Sequence, residues 1–209
     1  RARRIIAMYE AEGVDRSRVL VKLAGTWEGI AAARILEKDG ITCNITLIFG
    51  FAQGVAAAQA GARLISPFPG RVKDWHAANG GAPTYEPDED PGVVVVRRIY
   101  EYYKKHGHGT ICMPASWRPS RGTSDPSYAV DEILALAGTD RMTIPPPLLD
   151  LLAGSEEPVP RKLEPARAAA ACADAELVYD ESSFRLAMNA DLAATTKLAE
   201  GINAFIGET

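Results

Sequence analysis

The sequence predicts an α/β fold built on a parallel β-sheet. Short apolar runs alternate with helical patterns over residues 19–150, which is typical of consecutive βα units. The runs are apolar at most positions, as expected for strands that are covered on both faces. The 209 residues, 47% of them hydrophobic and 24% charged, are enough for one globular domain over 1–209.

The spacing of Ile5, Ile6 and Tyr9 predicts a first helix over Arg1–Gly13. In the βα region that follows, Thr26 can cap a helix that ends at Gly40, and a second helix ends at Gly61. These helices cover Trp27–Asp39 and Phe51–Ala60. Five segments are predicted as strands: Val19–Leu23, Cys43–Phe49, Arg63–Phe68, Thr110–Ser116 and Arg141–Ile144.

Val93–Val96 has the composition of a strand, but the pattern that continues through Ile99 and Tyr103 has helical spacing. We therefore predict a helix that opens at Pro91. The long segment Pro69–Pro91 is expected to contain a short helix. That short helix is placed at Lys73–Asn79. For the rest of the chain we predict a loop at Trp117–Tyr128, a helix over Tyr128–Ala137 closed by Gly138, and helices on the outside of the domain within Ala166–Leu177 and Phe184–Phe205.

Composition narrows the function to small-molecule chemistry. The net charge of −4 gives no broad attraction to nucleic acid or anionic lipid, and no apolar run is long enough for a membrane span or a signal peptide. Three widely spaced cysteines lack the spacing of a metal or redox motif and are expected to be reduced thiols: Cys43, Cys112 and Cys172. The histidines are expected to be exposed: His76, His106 and His108.

Lys22 stands out because it lies in a strand whose other residues are aliphatic, Val19-Leu20-Val21-Lys22-Leu23. Burial disfavours an ammonium ion, and the neutral amine is the form that attacks a carbonyl carbon to give a Schiff base. A lysine near a strand end can also extend its amine into water, and the pentapeptide alone favours that interpretation. The surroundings of Lys22 therefore decide its role.

Further candidates lie toward the carboxyl ends of the other strands, where parallel sheets and barrels carry their sites. They are Asn44, Thr46, Ser66, Phe68, Arg71, Ser116 and Arg118. The two-residue period of a strand predicts that Asn44 and Thr46 share one face of the second strand. The guanidinium groups could bind a sugar phosphate in bidentate fashion, and Ser116 could add a hydroxyl donor. Taken singly, each arginine is more typical of a surface ion pair, and only their joint placement favours a phosphate site.

Several segments resemble the transaldolase family, and together they span essentially the whole chain. The most specific are the lysine strand with its following turn and the next strand; the matching segments are Val19–Gly29, Gly40–Leu47, Phe51–Gln53, Leu64–Arg71, Asp90–Gly92, Ala115–Arg118 and Leu198–Ile202. The resemblance implies a (β/α)8 TIM barrel and an enzyme of the pentose phosphate pathway. It implies no metal and no organic cofactor.

The implied reaction moves a dihydroxyacetone unit from sedoheptulose 7-phosphate to glyceraldehyde 3-phosphate through a Schiff base on Lys22, giving erythrose 4-phosphate and fructose 6-phosphate. The resemblance also gives Thr46 a part in holding a catalytic water. It implies ketose binding by Asn44 and Ser66, and phosphate binding by Arg71, Ser116 and Arg118. Phe68 stands where fructose-6-phosphate aldolases carry a tyrosine, which favours transfer over hydrolysis.

Three departures from the family accompany the resemblance. The family carries its lysine on the fourth strand, so this chain is expected to hold strands four to eight plus the C-terminal helices. The first three βα units, with an Asp and a Glu for acid–base catalysis and a substrate-binding Asn, are then expected upstream of Arg1. The loop Pro119–Tyr128 is longer than usual, and Trp117 is bulkier than the expected Phe.

Two other functions stay open. One is an aldolase that hydrolyses the same enamine, and the other is a non-catalytic fragment that binds sugar phosphates. Sugar phosphates are the expected partners, whereas nucleic acid and membranes are not. Family members are often dimers, so a homodimer is an option that the sequence leaves open. A cytoplasmic location is expected, and a plastid remains open because a transit peptide would lie upstream.

Overall fold

The computed structural model describes residues 1–207. One parallel sheet organises this part of the chain, and each strand lies beside its successor in sequence. The strands are β1 (Val21–Ala24), β2 (Cys43–Ile48), β3 (Leu64–Pro67) and β4 (Ile111–Cys112). The predicted α/β fold with a parallel sheet is confirmed.

Ten α-helices lie within residues 1–207. They are α1 (Ala2–Ala11), α2 (Trp27–Lys38), α3 (Phe51–Gln59), α4 (Pro69–Ala78), α5 (Pro91–Lys105), α6 (Asp131–Ala135), α7 (Pro146–Ala153), α8 (Pro165–Ala171), α9 (Glu181–Ala190) and α10 (Leu192–Gly207). Two short 3-10 helices cover Arg16–Arg18 and Pro126–Val130. Within the same residues, no helix is both long and apolar enough to span a membrane.

The predicted helix boundaries in the βα region are confirmed by their caps. The hydroxyl of Thr26 accepts a 3.0 Å hydrogen bond from the main-chain N–H of Gly29, which starts α2. Gly40 and Gly61 follow α2 and α3 with φ angles of +73° and +76°, which glycine adopts without steric cost. Val93–Val96 lies inside α5, so the helical spacing of this segment outweighs its β propensity.

The fourth and fifth predicted strands need correction. The predicted strand Thr110–Ser116 forms regular sheet only at Ile111–Cys112, and Arg141–Ile144 is no strand. This last segment still runs beside β4, because the N–H of Thr143 donates to the Pro114 carbonyl at 3.0 Å. Pro114, which follows β4, has no N–H to donate, so the hydrogen bonds between strands are incomplete there.

Two helix predictions in the second half are also wrong in detail. The predicted helix Tyr128–Ala137 consists of the 3-10 helix Pro126–Val130 followed by the short α6, because the carboxylate of Asp125 accepts the Ser127 N–H and starts the turn early. The short helix predicted at Lys73–Asn79 begins earlier, since Pro69 occupies the first position of α4. Helix α7 was not predicted.

The hydrophobic core lies between the sheet and the helices α2, α3 and α5. Cys43 and Cys112 belong to this core as free thiols, and Cys172 is also free and buried. Burial raises the pKa of Cys43 to about 12, so its thiol stays protonated and behaves as a small hydrophobe. The predicted exposure of the histidines is wrong for all three: His76 is half-buried against Trp75, and His106 and His108 are half-buried against Tyr102.

The C-terminal helices were predicted on the outside of the domain, and α8 and α9 do pack on other helices. Helix α10 is different, because it contacts β2 and α4. A Cβ atom placed on Gly201 of α10 would lie 2.6 Å from the Leu47 side chain, and one placed on Gly50 would lie 2.7 Å from the carboxylate of Asp191. The α9–α10 junction therefore lies at the carboxyl end of β2, close to the candidate site.

Candidate active site

The sheet brings four of the predicted site residues to one face, and we call Lys22, Asn44, Thr46 and Ser66 the strand cluster. Lys22 is paired in register with Asn44, and Ala24 with Thr46. Side chains that are paired in a parallel sheet, or that lie two residues apart on a strand, point to the same face. The two-residue period predicted from the sequence therefore holds across β1 and β2.

Asn44 and Ser66 are in direct contact within the strand cluster. The Ser66 hydroxyl donates a 2.9 Å hydrogen bond to Oδ1 of Asn44, and both side chains are buried. Thr46 is 3% exposed, and its buried Oγ1 has no hydrogen-bond partner within residues 1–207. A buried hydroxyl without a partner is costly, so this atom is available for a water or a ligand group.

Of the two interpretations of Lys22 that the sequence leaves open, the structure shows the amine in water and not the buried one. Lys22 is exposed, and its side chain forms no hydrogen bond or ion pair with another described residue. The reason is its place in the sheet: β1 lies at the edge of the four described strands, with β2 as its neighbour. Lys22 therefore belongs to the face of the strand cluster while its amine reaches solvent.

A distortion in β2 sets the position of Thr46. The pairing of β2 with β3 shifts register between Ile45 and Ile48, and Leu47 has a φ angle of +57°. This angle is uncommon for a residue other than glycine, and such strain persists only where the surroundings impose it. The strain lies directly beside a predicted site residue.

The side chain of Gln53 stabilises this distorted end of β2 by hydrogen bonds to the main chain. It is fully buried and uses its whole amide group: Oε1 accepts the N–H groups of Phe49 and Gly50, and Nε2 donates to the carbonyls of Gly25 and Leu47. One side chain thus ties the turn after β1 to the end of β2. Gln53 is only weakly indicated by the sequence, as the last residue of one of the segments that resemble the family.

The remaining predicted polar residues gather beside the strand cluster, and we call Arg71, Ser116 and Arg118 the arginine cluster. A Cβ atom on Gly70 would lie 2.4 Å from the Ser116 carbonyl oxygen and 2.6 Å from Cγ of Arg118. The first turn of α4 and the segment after β4 are therefore in van der Waals contact. Gly70 permits this approach, and sequence reasoning did not single it out.

The two arginines have different partners. Nε of Arg118 donates to the carboxylate of Asp74 at 3.0 Å, so the predicted surface ion pair exists for this residue. Arg71 forms no ion pair with a described residue; its guanidinium lies 5.1 Å from the centre of the Phe68 ring. Phe68 itself is buried between β3 and α4 and packs edge-on against Phe49. Arg71 thus has no carboxylate partner within residues 1–207, and it directly follows Gly70, which contacts the Ser116–Arg118 segment.

The segment that carries Ser116 and Arg118 is fixed on several sides. Ser116 has a φ angle of +66°, a strained conformation for serine. The indole N–H of the buried Trp117 donates to the Thr143 carbonyl at 2.7 Å. The larger ring predicted as a departure therefore anchors the segment instead of filling the site.

The long loop after Arg118 is also anchored. The hydroxyl of Ser120 donates to the buried carboxylate of Asp90 at 2.8 Å. The side chain of Arg121 donates to both carboxylate oxygens of the buried Asp131, and its guanidinium lies 3.8 Å from the centre of the Tyr128 ring. The longer loop is thus held by two buried carboxylates.

A buried acid, Glu132, contacts the main chain of Arg118, and the sequence analysis did not identify it as a site residue. Its Oε2 accepts the main-chain N–H of Arg118 at 2.6 Å, and its buried Oε1 has no partner in the described chain. Burial, with a smaller contribution from the charge of Asp90, raises the pKa of Glu132 to about 9. In the sequence Glu132 is one acid of an ordinary helix start, so no pattern marks it.

The arrangement suits covalent chemistry on a phosphorylated carbonyl compound. The strand cluster offers the amine of Lys22, and the Asn44 amide and the Ser66 hydroxyl can form hydrogen bonds with the hydroxyls of a substrate. The buried Thr46 hydroxyl has no partner within residues 1–207, and the arginine cluster offers two guanidinium groups for an anion. Within residues 1–207 there is no cluster of histidine, cysteine and carboxylate side chains that could hold a metal ion.

Comparison with known proteins gives a consistent result. A sequence model of the family described as transaldolase/fructose-6-phosphate aldolase matches residues 1–209. A protein of Cellvibrio japonicus named transaldolase is 52% identical over 206 residues, which cover 99% of this chain and 61% of the relative. A protein of Saccharomyces cerevisiae with the same name is 50% identical over 207 residues, which cover 98% of this chain and 58% of the relative. The chain thus spans about 60% of the length of these relatives.

Proposed function

Since this chain belongs to the transaldolase/fructose-6-phosphate aldolase family, we propose that it carries the Schiff-base lysine and the phosphate site of a transaldolase. The observation that carries the proposal is the register of β1 and β2, which sets Lys22 beside Asn44 on the face of Thr46 and Ser66. The reaction transfers a dihydroxyacetone unit from sedoheptulose 7-phosphate to glyceraldehyde 3-phosphate.

In the proposed reaction, Nζ of Lys22 attacks C2 of the ketose, and loss of water gives an imine. A base removes the proton of the C4 hydroxyl, the bond between C3 and C4 breaks, and its electron pair moves toward the iminium nitrogen. Erythrose 4-phosphate leaves as the aldehyde, and the three-carbon unit stays on Lys22 as an enamine. The enamine then attacks the carbonyl carbon of glyceraldehyde 3-phosphate, and water releases fructose 6-phosphate and the free lysine.

The described residues are suited to the binding steps. Asn44 and Ser66 can hydrogen-bond the ketose hydroxyls, and the unpartnered Oγ1 of Thr46 can hold the water that is lost and regained at the imine. Arg71 and Arg118 can bind the phosphate with help from the Ser116 hydroxyl. A phosphate would compete with the carboxylate of Asp74 for the Arg118 guanidinium.

We further propose that this chain is the strand-four-to-eight part of a (β/α)8 barrel. The relatives are longer, and Lys22 is exposed at the edge of the sheet together with the apolar Leu20 of the same segment. Further strands would cover this edge and dehydrate the amine. The 209-residue chain by itself is expected to turn over about 10² to 10⁴ times more slowly than a barrel with its acid–base groups.

A donor and acceptor assay tests the function. The barrel that contains this chain is given fructose 6-phosphate with and without erythrose 4-phosphate, next to a Lys22→Met variant. Formation of sedoheptulose 7-phosphate that requires both the acceptor and Lys22 is the expected result. Release of dihydroxyacetone without an acceptor would identify an aldolase instead. Tight sugar-phosphate binding without either product, unchanged in Lys22→Met, would identify a binding module.

A further inference from the structure

Glu132 occupies an unusual position for a charged residue, next to the arginine cluster. It lies at the start of α6, is completely buried, and its carboxyl group forms no ion pair with an arginine or lysine within residues 1–207. The one hydrogen bond of its side chain in this part of the protein is the 2.6 Å bond that Oε2 accepts from the main-chain N–H of Arg118. Glu132 is therefore connected to the segment that carries Ser116 and Arg118, and not to their side chains.

The environment of Glu132 disfavours a negative charge. Oε1 is buried without a partner in the described residues, so an ionised carboxylate would have one fully desolvated oxygen. The charged groups that act on Glu132 are Asp90, Arg118 and Lys73. The Asp90 carboxylate opposes ionisation, and the ammonium group of Lys73 is turned to the Pro83 carbonyl at 3.3 Å. Burial thus raises the pKa of Glu132 to about 9.

An uncharged acid at this place has a consequence for anion binding. A carboxylate behind Arg118 would repel a phosphate bound in front of it, and this repulsion is poorly screened in a buried site. The uncharged acid still accepts the N–H of Arg118. Gly70 contacts the same segment at the Ser116 carbonyl. The segment is therefore held by two contacts, one from α4 and one from α6.

We propose that Glu132 is a positioning residue for phosphate binding, whose uncharged carboxyl group accepts the Arg118 N–H and so holds Ser116 and Arg118 toward Arg71. This inference rests on the proposed function, because it takes the arginine cluster to be the phosphate site. Glu132 itself does not touch the phosphate. It acts through the main chain of Arg118.

The test is a titration of the 209-residue chain with inorganic phosphate, followed by ³¹P NMR, for the wild type and the variants Glu132→Leu, Glu132→Gln and Arg118→Ala. Gln has the length and the uncharged acceptor of the protonated acid, whereas Leu has similar volume and no acceptor. Glu132→Leu leaves the Arg118 N–H without a partner and is expected to weaken phosphate binding about tenfold. Glu132→Gln is expected to bind phosphate like the wild type.

Asp140→Asn is the matched control, because Asp140 accepts the main-chain N–H of Cys112 at 3.0 Å without touching the arginine cluster. It is expected to lower the melting temperature and to leave phosphate binding unchanged. If Glu132→Leu does not fold, Glu132→Asp replaces it, since the shorter side chain withdraws the acceptor. Equal phosphate binding by the wild type and by Glu132→Leu or Glu132→Asp would overturn the proposal. The proposal would also be overturned if Glu132→Gln weakened phosphate binding as much as Glu132→Leu or Glu132→Asp.

The outcomes separate the two proposals. If the wild type binds phosphate and Arg118→Ala does not, the proposed phosphate site is supported, and this conclusion does not depend on the results for the Glu132 variants. If the wild type itself does not bind phosphate, both the phosphate site and the role of Glu132 are refuted. The Schiff-base chemistry of Lys22 is measured by a different experiment and is not affected by either result.

Discussion

The α-carbon of Gly70 lies so close to the carbonyl oxygen of Ser116 that an added methyl group would be 2.4 Å from it. This contact joins the first turn of α4, which carries Arg71, to the segment after β4, which carries Ser116 and Arg118. The opposing atom belongs to the main chain, so a side-chain rotation cannot relieve the overlap. The geometry of the arginine cluster therefore depends on the absence of a side chain at Gly70.

Gly70→Ala is expected to separate α4 from the Ser116 segment. Overpacking of this kind destabilises a fold by about 1 to 3 kcal/mol, and the displaced arginines should bind phosphate more weakly. Urea unfolding and a phosphate titration measure the two effects. Gly109→Ala is the control, because a Cβ atom there meets nothing within 4 Å. Unchanged phosphate binding by Gly70→Ala would show that the contact does not position the cluster.

Gln53→Leu is expected to destabilise the chain by about 2 to 4 kcal/mol, because buried N–H and carbonyl groups at both ends of the Gln53 amide lose their partners. Gln53→Glu should also destabilise it, since a carboxylate cannot donate to the carbonyls of Gly25 and Leu47. The free energy of unfolding in urea measures both. Asn189→Ala on exposed α9 is the control and should stay within about 0.5 kcal/mol of wild type. A wild-type stability for Gln53→Leu would contradict the role given to this amide.

Arg121→Met is expected to leave the buried carboxylate of Asp131 unpaired, which costs about 3 to 5 kcal/mol of stability. The double variant with Asp131→Asn should recover part of that loss, since the uncompensated charge is gone. Arg185→Met removes an exposed ion pair with Glu28 and should cost less than about 1 kcal/mol. A double variant as unstable as the sum of the two single ones would refute the pairing.

The raised pKa of Glu132 predicts how stability changes with pH. The ordinary pKa is 4.5 and the folded value is about 9, so the folded chain binds the proton more tightly than the unfolded chain. The corresponding stability is fully present below pH 4.5 and is lost as the pH rises toward 9. Glu132→Gln cannot ionise, so its stability relative to wild type should rise by about 1 kcal/mol or more between pH 5 and pH 8.5.

Urea unfolding at the two pH values measures this difference. Glu12→Gln on the exposed end of α1 is the control and should give the same difference from wild type at both. If the Glu132→Gln difference is also independent of pH, Glu132 is ionised in the folded chain, and its role as an uncharged acceptor is wrong.

The sequence was informative where a local pattern decides the structure. The helical spacing after Pro91 identified α5 despite the four valines. Thr26 and Gly40 correctly marked the two ends of α2, and Gly61 marked the end of α3. The two-residue period also placed Asn44 and Thr46 on one face of β2. These features depend on neighbouring residues alone.

The failures have non-local causes. The exposure of Lys22 depends on which strands lie beside β1, and the pentapeptide around it carries no such information. Glu132 and Gly70 act through contacts with residues 14 and 46 positions away, Arg118 and Ser116, and no local pattern marks them. The site-residue roles of the strand cluster stay predictions until they are measured.

Borohydride trapping shows whether Lys22 forms a Schiff base with a ketose. The 209-residue chain is incubated with fructose 6-phosphate and reduced with sodium borohydride, and its peptides are mapped by mass spectrometry beside those of Lys22→Met. We expect a reduced three-carbon or ketose adduct on the peptide that contains Lys22, absent from the variant and from a reaction without sugar. No adduct on Lys22, even in the longer barrel, or an equal adduct on exposed lysines such as Lys38, would contradict it.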